Sequence, residues 1–349
     1  MVLQRDRPFV LSGRATPGAS LSVTLGEEKN DVVADGQGAW QTRFPAMPAS
    51  VFPRKLQIVG DGSELTFTNI VVGDVYLVTG TSFGPQVRKS KIDPALLKTA
   101  FQELGHIRLL TVGGQRESFE NPESLYESGY IKYGAWRPVE TIISHTPLFL
   151  IGLEYGFANF QVPKGFVFAD AGTERLEAII PATRYREEGL VELADEAEAF
   201  IPGTACGDAA ISKQIADVKK WFDESAKALD AGRVPTEKCP VFKELKNTEY
   251  GSVWNGILSP LRSISVKGVI VSEAANRDPD GLRMRKEKAL ANCYRKIWGD
   301  SIEVLFHPAS DSRIDDSRTS GLAIGGKSDA RILRGESCAE KIRKSSVNL

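Results

Sequence analysis

The feature that most constrains the fold is a change of periodicity near residue 72. From Pro8 to Val72 the apolar residues come in short alternating or β-branched runs: FVLSGRA, SLSVTLG, DVVAD, WQTRF, RKLQIVG and LTFTNIVV. The turn signals TPGA, ADGQGA and GDGSE separate them, with no helical spacing in between. Strands this close in sequence pair with their neighbours through tight turns, which predicts a small antiparallel β-sandwich over residues 1–72. After Gly73 the apolar runs VYLVTG, HIRLLTV, KGFVFADAG, KGVIVSEAA and IEVLFHPAS alternate with helix-like segments. These are HTPLFLIGLEYGFANF, DAAISKQIADVKKWFDESAKALDAG and RMRKEKALANCYRKIWGD. That alternation predicts a second domain, residues 73–349, built on a mostly parallel sheet covered on both faces. Between Cys206 and Arg233 the residues Ile211, Ile215, Val218, Trp221 and Phe222 recur at helical spacing and predict an amphipathic surface helix. The tail after Asp316 is weakly patterned and rich in Ser, Gly and Arg.

Composition narrows the classes of function. The chain has 349 residues, 42% of them hydrophobic, enough for a substantial core. Lys plus Arg number 44 against 45 Asp plus Glu, so no charge excess points to nucleic acid or a membrane surface as partner. No run approaches the ~18 apolar residues of a membrane span, and MVLQRDRPFV lacks the apolar stretch of a signal peptide. Read as it stands, the sequence carries no export signal. Cys206, Cys239, Cys293 and Cys338 are scattered without a C-x-x-C pair, which suggests free thiols rather than a zinc site or a disulfide framework. There is no metal-ligand cluster, phosphate loop or dinucleotide fingerprint, so any catalysis is expected to need no cofactor. Nothing in the pattern sets an oligomeric state.

Open parallel sheets bind ligands beyond the carboxyl ends of their strands. Four such ends stand out: Gly80 to Gly84, Asp170 to Thr173, Ser272 to Asn276, and His307 to Ser310. The first carries Ser82 among small neighbours, where a hydroxyl would be exposed beside backbone N–H groups able to hold an oxyanion. A serine that merely caps the turn after a strand is the commoner use of such a residue, and the stretch alone leaves both readings open.

Four stretches in order carry a resemblance: MVLQRDRP, GDVYLVTGTSF, KGFVFADAGTERLEAI and WNGILSPLRSISVKGVIVSEAAN. They are similar to the signposts of the sialate O-acetylesterase family of SGNH (GDSL-like) hydrolases, from Met1 to about Pro308. The resemblance implies a small β-sandwich followed by a flavodoxin-like three-layer α/β/α hydrolase domain. It implies that Ser82 is the nucleophile, that Gly172 supplies an oxyanion N–H, and that Thr173, Glu177 and Ala178 continue the second motif. The substrates implied are O-acetylated sugars, sialic acids or acylated polysaccharides. Export to the periplasm or beyond is also implied, in contrast to the N-terminus just described.

The departures from the family pattern bear on activity. The family's GQSNM is here Gly80-Thr81-Ser82-Phe83-Gly84, which sets a bulky Phe83 beside the serine. In the block Val271-Ser272-Glu273-Ala274-Ala275-Asn276, Ala274 and Ala275 replace a glycine and a glutamate, and Asn276 meets the family asparagine, an oxyanion donor, only across a deletion. The family's base is a C-terminal histidine. The matching segment GLAIGGKSDARILRGESCAEKIRK has Asp329 as a candidate acid and no histidine. Of the three histidines, His106 precedes a strand, His145 opens an apolar helix, and His307 ends IEVLF where it could face the site or simply finish a strand. A serine without a base is an unactivated hydroxyl, so strongly reduced or absent esterase activity is expected. The alternative to a carbohydrate esterase is a non-catalytic member that only binds saccharide or serves a structural role. Trp136, Trp254 and Phe83 are candidate sugar-stacking residues in either case, and each could equally be core, Trp136 mainly so.

Overall fold

The computed structural model describes residues 1–80, 106–117, 132–133, 136–138, 162–169, 175–241, 246–272 and 278–307. The N-terminal strands are β1 (Val2–Gln4), β2 (Phe9–Arg14), β3 (Ser20–Leu25), β4 (Glu28–Val33), β5 (Ala39–Phe44) and β6 (Ser50–Gly60). An 18-residue strand, β7 (Ser63–Gly80), follows. Beyond it come β8 (Ile107–Gly113), β9 (Lys132–Tyr133), β10 (Arg137–Pro138), β11 (Lys164–Ala169), β12 (Gly268–Ser272) and β13 (Glu303–His307). The helices are α1 (Val191–Glu198), α2 (Ala205–Asp230) and α3 (Asp280–Trp298). The fold is mixed α/β, with one large mixed sheet of 11 strands and a two-stranded sheet.

β7 organises the molecule. Its first half lies antiparallel to β6, which continues through β3 to β4. Its second half is the centre of a parallel set: β11 and β12 flank it, β8 lies beyond β11, and β13 beyond β12. LTFTNIVV and VYLVTG, two runs in the sequence, are one continuous strand. The inward residues of β3 and β6 face the antiparallel pair β2–β5 across a core of Leu21, Val23, Leu25, Trp40, Phe44 and Leu56. Phe9 stacks on Phe44 with ring centroids 5.4 Å apart. A second core fills one face of the parallel set, where Val75, Leu77, Val167 and Val269 meet Trp254, Leu290 and Tyr294.

The MVLQRDRP stretch is the seam between these regions. β1 adds in parallel to β7 at Val71 to Gly73, and the buried Gln4 Oε1 accepts the N–H of Val75 at 2.8 Å. Arg5 Nε reaches Asp74 at 2.7 Å. Arg7 donates to the carbonyls of Val266 and Trp298 and to the Ser301 hydroxyl. At the crossing, Gly73 lies so close to Pro163 that an added Cβ would stand 1.9 Å from its carbonyl oxygen. Backbone cannot yield there as a flexible side chain would, so Gly73→Ala is expected to cost ~3 kcal/mol or more, read as a lower urea midpoint at unchanged slope.

The Cys206 to Arg233 expectation is met by α2, N-capped by the Thr204 hydroxyl accepting from Gly207 N–H. Its apolar stripe is nevertheless open, Ile215 being 57% and Phe222 67% exposed. Cys206, Cys239 and Cys293 are free thiols, and burial pushes Cys293 up to about 12. Among the described residues no helix is long and apolar enough to cross a membrane.

Candidate functional site

The register of the parallel strands levels their carboxyl ends. Val112 of β8 pairs with Ala169 of β11, Phe168 with Val78 of β7, Gly80 with Ser272 of β12, and Ser272 with His307 of β13. Gly80, the last residue of β7, takes φ 145°, a conformation that favours glycine, and it stands two residues before Ser82 in sequence. Adjacent strands lie ~4.8 Å apart, which sets the backbones of Gly80 and His307 roughly 10 Å apart along one edge. His106 sits at the opposite end of the sheet, its carbonyl accepting the Lys164 N–H at 3.0 Å. Ser82, Phe83, His145, Gly172, Asn276 and Asp329 lie outside the described residues, and of His307 only the backbone is described.

Three described pieces of chain stand around this edge. The first is the stretch after β8, where Glu117 N–H donates to Ser252 C=O at 3.0 Å and Glu117 C=O accepts from the Asn255 side chain at 3.1 Å. The second is the WNGILSPL motif, a π-helical turn at Trp254–Leu258 followed by a 3-10 turn at Ser259–Ser263. Its Gly256 presses on the Gln115 carbonyl, 2.0 Å from where a Cβ would be, so this motif needs glycine for close approach. π-turns of this kind are frequent at functional sites. Trp254 is 2% exposed and packs against Tyr294 and Trp298 at 5.8 and 6.1 Å. It is therefore core, which removes it as a sugar-stacking residue. Trp136 is half-buried, its ring 3.2 Å from the Cβ position of Gly165.

The third piece is a buried ionic cluster that the sequence reading missed. Lys286 of α3, 2% exposed, donates to Glu177 at 2.8 Å and to Asp278 at 2.7 Å. Glu177 lies in a 3-10 turn, Leu176–Ile179, and its carbonyl accepts from Tyr185 Oη–H and Gly251 N–H. Arg175 approaches Glu177 at 3.6 Å and bonds Glu249 at 2.6 Å, and those carboxylates, Glu249 foremost, raise its affinity for the proton. The signal was present: Lys286 falls on the same helical stripe as Leu290, Cys293 and Tyr294, all buried.

Elsewhere, Asp195, Glu198 and Cys206 present three potential ligand atoms within 4.8 Å of one another. Arg186 already bonds both carboxylates, at 2.6 and 2.8 Å, and this group lies on α1 and α2 rather than at the strand ends.

No protein-family model and no curated protein sequence matches the chain. Among solved structures it is similar to a carbohydrate acetylesterase from Xanthomonas citri, at 21% identity and a TM-score of 0.55. That match covers 87% of this chain and 57% of the other, so the chain spans little more than half the length of that protein. At such identity the likeness bears on the fold alone, a mixed α/β architecture. A protein described as a glycoside hydrolase from Bacteroides vulgatus aligns at 13% identity over 88% of this chain and 56% of its own. Its TM-score of 0.19 gives that alignment no weight.

Proposed function

We propose that the protein is a carbohydrate esterase of the sialate O-acetylesterase type, releasing acetate from O-acetylated sugars or polysaccharides. Ser82 is the nucleophile, its own N–H and that of Gly172 hold the oxyanion with help from Asn276, and His307 is the base. Asp329 is the candidate acid.

The observation that carries the reading is the shared edge of Gly80, Ser272 and His307. The backbone of His307, the only histidine in the C-terminal half of the sequence, ends its strand at the edge where Gly80 ends β7, two residues before Ser82, which supports the pairing. The fold shared with a carbohydrate acetylesterase supports the same reading. The facing N-terminal sheets, with their own core, support a β-sandwich over residues 1–72. On the other face of the parallel set, Tyr76, Leu109 and Phe166 are as deeply buried as the described core. Apolar burial on both faces supports a three-layer SGNH domain over residues 73–349. Because the family's C-terminal histidine is absent, catalysis runs below the rate of a complete triad.

The same absence, with Phe83, Ala274 and Ala275, favours a second reading in which the cleft binds acetylated saccharide without turnover. A fluorophosphonate reagent separates the two, since it marks only an activated serine. The esterase reading expects an adduct on the Ser82 peptide by mass spectrometry, lost in Ser82→Ala and formed at least ~10-fold more slowly in His307→Ala. Binding of an acetylated sugar without any adduct would favour the second.

A further inference from the structure

We propose that Lys286 is a positioning residue, a clamp that fixes residues 175–180 and the start of α3 against one another. Its consequence for turnover rests on the esterase reading above; the clamp itself does not. The ammonium group bonds Glu177 on one side and Asp278 on the other. Glu177 lies five residues past Gly172 and Asp278 two residues past Asn276, so on the esterase reading the clamp stands close in sequence to both assigned oxyanion donors.

The cluster is chosen over a surface tether for physical reasons. Lys286 is 2% exposed and Glu177 is 4% exposed, so their attraction is poorly screened. Removing the lysine leaves Glu177 as a buried charge, with Arg175 a more distant and more exposed partner. The segments would relax to find solvent. Each has local hydrogen bonds that report the change. After β11 these are Ala178 N–H to Arg175 C=O and Ile180 N–H to Glu177 C=O. At the start of α3 they are Leu282 and Arg283 N–H to Pro279 C=O. Both sets should open together although they are about a hundred residues apart in sequence.

The experiment compares the wild-type protein with Lys286→Met, Lys286→Arg and the core variant Val266→Ala, by hydrogen exchange and by turnover of p-nitrophenyl acetate. Val266 is 2% exposed and lies two residues before β12, so it tests loss of stability without loss of the clamp. In Lys286→Met, peptides covering residues 175–180 and 278–283 are expected to exchange ~10-fold faster together. Lys286→Arg is expected to restore both to within ~3-fold of wild type, and Val266→Ala to leave both unchanged. Turnover in Lys286→Met is expected to lose ~10- to 100-fold in kcat with KM within ~3-fold, because oxyanion donors act by placement. A change in one segment alone, in neither, or equally in Val266→Ala overturns the clamp. Faster exchange at unchanged kcat overturns the positioning role. If the wild-type protein itself shows no turnover, the esterase reading fails, and the exchange result alone decides the clamp.

Discussion

Asp74→Ala is expected to lower the unfolding free energy by ~3–5 kcal/mol, a large share of the ~5–15 kcal/mol available to a domain. Asp74 is 1% exposed in the middle of β7 and holds three cations: Lys164 at 2.7 Å, Arg5 at 2.7 Å and Lys267 at 3.5 Å. Lys164 is 4% exposed, and without Asp74 its charge is buried with no bonded carboxylate among the described residues. Replacing both members, Asp74→Leu with Lys164→Met, removes the orphaned charge and should recover most of the loss.

The pH dependence follows from the same cluster. Burial alone would raise the Asp74 carboxyl, but the hydrogen bonds from Arg5 and Lys164, with the charges of Lys164 and Lys267, outweigh it and hold it below the usual carboxylate range. A carboxyl depressed in the folded state binds fewer protons there than in the unfolded chain. Its stabilisation is therefore full above ~4 and is lost as pH falls toward the lower folded value. Wild-type stability should fall across that acid window, and the Asp74→Asn variant, already weakened at neutral pH, should show a flatter curve there. Urea titrations at several pH values check both expectations.

Much of this architecture is legible in the sequence, for reasons visible in particular residues. HIRLLTV, KGFVFADAG, KGVIVSEAA and IEVLFHPAS became β8, β11, β12 and β13, because short apolar runs between turn signals have few other ways to be buried. The unbroken course of β7 was not legible. Gly73 and Asp74 interrupt the apolar pattern, and their partners come from Pro163, Lys164 and Arg5, which no local reading connects. Helical spacing gave the stripe of α2 but not whether anything covers it, and Ile215 and Phe222 face outward. Trp254 could be read as sugar-stacking or as core, and its packing on Tyr294 and Trp298 decides for core.

The candidate site divides in the same way. That the strand ends after Gly80, Ala169, Ser272 and His307 share one edge follows from parallel connection, so a short-range reading could find them. The stripe of α3 marks Lys286 as inward-facing, but not what it bonds. Its partners, Glu177 and Asp278, lie 109 and eight residues away.

The largest effect on chemistry is expected at Ser82. If it forms the acyl-enzyme, its oxygen makes the bond that replaces the acetyl ester, and an alanine there supplies no atom that can make that bond. Loss of a serine nucleophile costs up to ~10⁶ in kcat where the triad is complete, and less where the base is weak, because part of the rate then comes from the oxyanion donors alone. Ser82→Ala is accordingly expected to reduce acetate release by at least ~100-fold. Asp74 is half the sheet away on β7, and its variants should affect folding before chemistry.

The most direct test is acetate release from an O-acetylated sialic acid by the purified wild-type protein and by Ser82→Ala at matched folded concentration. Turnover by the wild type that falls at least ~100-fold in the variant is the expected result. Equal rates in the two proteins, or no release by either, would contradict an esterase built on Ser82.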